Sequence, residues 1–286
     1  MSLIEPFTFP FMARALAELV VLGALAGTVG VLILLRRLTF MTDALTHTVF
    51  PGVVTGYLLT GEGGIFWGAL IAGALTAVLL TLLTRDRAVT EDTALAVLLT
   101  TFFAIGVVLV SRESGYTTDL TAFLFGRILT VTGRQLTQTL VVTVLVVAAL
   151  AILRRPLMAR TFDPRGAQAA GYRIGLLDLA TNAIVAVVVV ASVRAVGTVL
   201  VIALLIVPAA AARTVSDRLT VIVPVAAVLG ALAGWAGLTI SYDASVHHGL
   251  RLASGGTVVL VLIGLYLGAL AATTAGRRLR RPRRTA

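Results

Sequence analysis

The sequence predicts an all-α fold, a polytopic transmembrane bundle of about eight or nine spans, with the N-terminus outside and the C-terminus inside. Three observations carry this. The 286 residues are 58% hydrophobic and 13% charged, against roughly 25% charged in a soluble domain. The mean hydropathy is +1.02, concentrated in apolar runs long enough to cross hydrocarbon as helices. The short alternating segments of a membrane barrel are absent, so the backbone must be satisfied within helices.

The apolar segments lie near 13–35, 44–60, 65–84, 93–111, 135–153, 176–193, 195–212, 219–238 and 256–275. Glu5 and Glu18 flank the first and no basic stretch precedes it, so it reads as a retained span, not a cleaved signal peptide. The second is short and carries Pro51-Gly52. Proline removes a backbone donor and kinks a helix, which neighbouring helices can tolerate. Glu91 and Asp92 follow Thr90 at the start of the fourth segment and suit the positive end of a helix dipole. The stretch 119–133 is too short and polar to span, and reads as an interfacial or re-entrant helix on the outer side.

Between 154 and 175 lies the longest inner connection. Asp163-Pro164 is a helix start, Ala167 to Ala170 favours helix and Gly171 is a stop, predicting a short helix near 164–170. Asp178 at the start of the sixth segment reads as another dipole partner. One transmembrane domain therefore covers 1–275. A basic tail, 276–286, follows and reads as cytoplasmic and lipid-facing. With the N-terminus outside, 17 of the 23 basic residues fall in inner loops and the tail, as the positive-inside rule requires.

Composition excludes several functions. Cysteine is absent, so there is no disulfide, thiolate metal site or catalytic thiol. Lysine is absent too, which excludes a Walker A phosphate loop in this chain. The net charge of +10 sits at segment ends, which points to the membrane surface and not to nucleic acid. Neither HExxH nor Gly-x-Ser-x-Gly occurs, and no internal repeat stands out.

Asp43 and His47 are the main chemical candidates. At i and i+4 they share a helix face, and ionisable groups within a membrane segment face an interior, a partner or water. Carboxylate oxygen and imidazole nitrogen are ligands for manganese, iron and zinc. One of each is half a site; two copies around a two-fold axis would complete it. A pair that only satisfies itself is the alternative. Asp243, His247 and His248 form a second candidate in an outer loop, for metal capture at the outer mouth. Glu113 and Asp119 near that mouth could attract cations.

The motifs resemble a known family. DALTHTVFPGVVTGYLL (43–59), EDTALAVLLTTFFAIGVVLVS (91–111), LFGRILTVT (124–132), FDPRGAQAAGY (162–172) and VGTVLVIALLIVPAAAARTVSDRL (196–219) are similar, in order, to the permease subunits of bacterial ABC-type manganese, zinc and iron importers. The likeness covers about residues 13–275, with Thr46 where the family more often has Ser. It implies a homodimeric permease in the cytoplasmic membrane, two separate cytoplasmic ATPase subunits that use ATP, and an extracytoplasmic metal-binding protein. It implies no covalently bound cofactor and no catalysis in this chain, with a divalent transition metal as cargo. It makes Asp43 and His47 pathway ligands. It makes 157–175 a coupling segment, in which Asp163, Pro164, Ala167 and Gly171 form the ATPase contact. Two other classes compete. A proton-coupled secondary metal transporter would work without an ATPase. An intramembrane metalloenzyme would need a third ligand and a base that the sequence does not offer.

Overall fold

A computed structural model of the chain describes residues 5–85, 89–111, 126, 128–250 and 252–279. Among them all regular structure is helical. The helices are α1 (Pro10–Arg36), α2 (Thr39–Thr48), α3 (Phe50–Thr60), α4 (Glu62–Leu83), α5 (Glu91–Val110), α6 (Gly133–Phe162), α7 (Pro164–Ala169), α8 (Ile174–Val215), α9 (Leu219–His247) and α10 (Ser254–Leu279). Short 3-10 turns occur at Glu5–Thr8 and Ile128–Thr130. Most of the expected outer helix at 119–133, together with Glu113, Asp119 and most of the basic tail, lies outside the described residues.

Helices α1 and α8 are the interior of the bundle, each 67% buried over its most apolar stretch, whereas α6 and α10 are 17% and 11% buried. The outer helices thus direct their Leu, Val and Ile side chains away from the protein, as a chain does when its solvent is lipid. Among the described residues, seven helices are long and apolar enough to cross a membrane by length and composition. The α2–α3 pair is too short, helix by helix, to be among them.

Helix α1 runs antiparallel to α9. Phe9 and Tyr242 meet at one end with ring centroids 6.2 Å apart, Gly23 faces Gly230 and Gly27 faces Ala227 further along, and Val31 and Ile222 share a core cluster near the other end. The two ends of α8 both lie at the C-terminal end of α1. Asp178 pairs with Arg36, while Arg213 and Thr214 line a cleft with Leu34. A straight helix from Asp178 to Arg213 would be about 50 Å long, so α8 must fold back. The reversal is at Gly197, whose φ of 78° and ψ of 165° interrupt the helix. A residue with a Cβ strongly disfavours that backbone conformation. The two apolar segments read in the sequence, 176–193 and 195–212, are the arms of this reversal.

Three boundaries differ from the sequence reading. The second segment starts at Thr39 and breaks at Val49, so Asp43 lies within α2 and not at a helix start. Pro51 has no N–H for the His47 carbonyl, and this breaks the ladder between α2 and α3. Helix α6 continues through Arg154, Arg155 and Pro156 to Phe162. Helix α9 continues to His247, so Asp243 and His247 are helical, with His248 as the C-terminal cap. Glu18 does not flank the first span; it sits inside α1 and is fully buried.

Helices α3 and α4 form a tight hairpin around Gly61. A Cβ at Gly52 would collide with the Gly68 carbonyl, and one at Gly68 with that of Gly52. Only glycine permits this backbone approach. The hairpin anchors α3, and through it fixes where α2 can lie.

Candidate metal site and coupling segment

Helix α2 turns Met41, Ala44 and Leu45 into the core, all 0% exposed. The opposite face therefore carries Asp43 and His47. Their side chains are 44% and 32% exposed, and His47 Nε2 lies 3.8 Å from Asp43 Oδ1. That is too long for a hydrogen bond, so the pair is not closed on itself. A carboxylate oxygen and an imidazole nitrogen instead look into the same open space, an arrangement that suits a divalent cation. The Thr46 hydroxyl donates to the Asp43 carbonyl at 2.7 Å and stays off that face.

Aromatic rings border the pair. The His47 ring meets Phe103 of α5 at 5.7 Å with an interplanar angle of 89°, and Phe103 also lies 5.7 Å from Phe50. This contact places Phe103 edge-on against one side of the imidazole. The sequence reading missed Phe103, because nothing in the order of residues ties α5 to α2. Among the described residues no group of three or more His, Asp or Glu side chains is arranged to hold a metal. One chain therefore offers two side-chain donors at this face, and any fuller ligand set must come from outside it.

At the other functional end, α7 forms as the sequence predicts. Asp163 caps it, accepting from Gly166 N at 2.9 Å, Pro164 occupies the first turn, and Gly171 follows with a φ of 88°. Ala167 is 2% exposed. It packs α7 against the bundle. Arg165, Gln168 and Tyr172 are exposed on this segment, as is Phe162.

Asp178 does more than favour a helix dipole. Its carboxylate pairs with Arg36 at the end of α1 and takes two hydrogen bonds from Arg160 near the end of α6. Arg36 also donates to the Thr181 hydroxyl. Three helices are therefore tied together immediately beside α7. Sequence reading missed this hub because Arg36 and Asp178 are distant in the chain.

Near the opposite end, Glu18 Oε1 accepts from the Thr139 hydroxyl at 2.7 Å, and Oε2 is buried without a hydrogen-bond partner. Also there, His247 Nδ1 lies 3.0 Å from Asp243 Oδ1 and His248 Nδ1 lies 3.8 Å from Asp243 Oδ2. The structure thus brings the second candidate trio together, well away from Asp43 and His47.

Comparison with known proteins adds independent observations. The model of the ABC 3 transport family matches residues 8–273. The manganese transport system membrane protein MntC of Halalkalibacterium halodurans is 35% identical over 91% of this chain and 86% of its own length. The manganese import system permease protein ScaB of Streptococcus parasanguinis is 35% identical over 91% of this chain and 89% of its own. A solved structure, PsaBC from Streptococcus pneumoniae in complex with Fab, superposes with a TM-score of 0.81 at 30% identity, covering 94% of each chain.

Proposed function

The chain belongs to the ABC 3 transport family, and from that membership we propose that it carries manganese inward along a path lined by Asp43 and His47 of two copies. It is the permease subunit of an ATP-binding-cassette metal importer in the cytoplasmic membrane, a multi-pass protein that works with ATPase and substrate-binding partners. Manganese rests on the names of its relatives and on a donor set of carboxylate and imidazole that manganese accepts.

The observation that carries the ligand assignment is the open geometry of the pair. Asp43 and His47 are half-exposed on one face and separated by 3.8 Å. A two-fold axis beside α2 would bring four donors around one ion. The carboxylate supplies charge and the imidazoles supply direction. ATP-driven closure of two cytoplasmic ATPases would act through α7 and the adjoining Asp178 hub, which joins α6, α8 and α1, and so expose the site to alternate sides. In this reading the α2–α3 pair forms one crossing and each arm of α8 forms one, so the chain crosses the membrane nine times with its N-terminus outside.

Two experiments test this. Radioactive manganese uptake by cells carrying the permease with its ATPase and binding protein should be lost in Asp43→Asn and His47→Ala. Uptake at the unaltered rate in the doubly substituted chain overturns the assignment, and competition that favours zinc over manganese overturns the cargo. The cysteine-free background also permits labelling. A cysteine at Gly63 should react with an impermeant reagent in intact cells and one at Thr161 should not; the reverse pattern overturns the orientation.

A further inference from the structure

We propose that His247 and His248 form a second, weaker cation site at the end of the bundle opposite α7, with Asp243 as the group that orients His247. This rests on the reading above only for which side of the membrane the site faces. The corner is braced. Leu250 N donates to Ala244 O at 2.9 Å, the Ser245 hydroxyl reaches the Leu250 carbonyl at 3.2 Å, and the Ser241 and Ser254 hydroxyls lie 3.0 Å apart. The imidazoles are therefore presented by a fixed helix end.

Both rings turn the same nitrogen inward. Nδ1 of His247 lies 3.0 Å from one oxygen of the Asp243 carboxylate, within hydrogen-bond reach, whereas Nδ1 of His248 lies 3.8 Å from the other, beyond it; the carboxylate is only 21% exposed and the rings are 58% and 65% exposed. At His247 the carboxylate favours the proton on Nδ1 and leaves Nε2 as a free lone pair, the arrangement found behind metal-bound histidines. Nε2 of His247, beside the exposed ring of the adjacent His248, offers an open site that water completes. It suits a divalent first-row transition cation. With so few ligands it exchanges its ion readily. The nearby Asp243 carboxylate supplies the attraction.

The test is zinc binding to the full chain in detergent micelles, zinc being a strong imidazole-binding probe. In the Asp43→Asn/His47→Ala background, one zinc per chain should remain. Adding His247→Asn and His248→Asn should weaken it at least tenfold, and adding Asp243→Asn instead should weaken it about 10- to 100-fold with the melting temperature unchanged. No zinc left in the background chain, or zinc binding indifferent to the two histidines, overturns the site; zinc binding indifferent to Asp243→Asn overturns its orienting role. If instead the unaltered chain and the Asp43→Asn/His47→Ala chain bind zinc identically and only the outer histidines matter, the outer site stands and the pathway reading falls.

Discussion

Arg160 holds Asp178 by two parallel hydrogen bonds, Nε to Oδ1 and Nη2 to Oδ2, both 3.0 Å. Asp178 also receives Arg36 from the end of α1. The carboxylate is 26% exposed and Arg36 only 10%, so water screens this hub less than a surface pair. It spans the short α7 that separates α6 from α8, and it ties both to the central helix. In the proposed mechanism, a displacement of α7 would pass to α1 through these bonds.

Removing the charge should loosen that link. Asp178→Asn retains the shape but loses the bidentate carboxylate. The cost expected is about 1–3 kcal/mol, the range for hydrogen bonds to charged groups. Arg160→Lys keeps the charge without the planar fork and should lose less stability but still impair coupling. Thermal unfolding and ATP-driven uptake measured together check this. Unaltered uptake in Asp178→Asn would separate the hub from coupling.

Burial divides the coupling segment into two kinds of residue. Ala167→Arg places a charge where a buried methyl packs and should cost several kcal/mol in stability. Arg165→Glu alters an exposed side chain of the same helix and should leave the melting temperature within about 1 kcal/mol of equivalent stability, while weakening ATPase association at least tenfold. Pull-down of the ATPase by each variant, with thermal unfolding alongside, distinguishes them. Full association with Arg165→Glu would move the contact elsewhere.

Phe103 should tune the metal pair without contacting the ion. Phe103→Ala frees the His47 ring from its edge-on neighbour at 5.7 Å. The expected result is weaker manganese binding, measured by titration, with protein yield retained; Phe103→Leu fills part of the volume but lacks the ring, and should restore stability more fully than affinity. Equal affinity in all three chains would make the ring contact incidental.

The α3–α4 hairpin offers a matched pair of substitutions. Gly68→Val collides with the Gly52 backbone, whereas a side chain at Gly63 meets nothing within 4 Å. Gly68→Val should cost about 1–3 kcal/mol through overpacking and should displace α2 with its ligands, abolishing uptake. Gly63→Val should be close to neutral. Folding yield and uptake of the two variants measure the difference.

Much of this protein was legible in its sequence because lipid imposes simple rules. Apolar length fixed the helices, Asp163-Pro164 and Gly171 marked the short inner helix, and the i, i+4 spacing put Asp43 and His47 on one face before any coordinates were known. Those are local consequences of helix geometry and solvent. Three features were decided only by tertiary structure. The sequence separated 176–193 from 195–212, but only the folded backbone shows that Gly197, with a φ of 78°, makes the turn between them. Asp178 looked like a helix-dipole partner until folding brought Arg36 and Arg160 to it. The burial of Ala167 depends on α7 folding against the bundle, which its own segment does not specify. In each case the deciding contact joins segments that composition and period treat separately. Local preference sets where a helix begins; which side chains are free to bind depends on what the rest of the chain places over them.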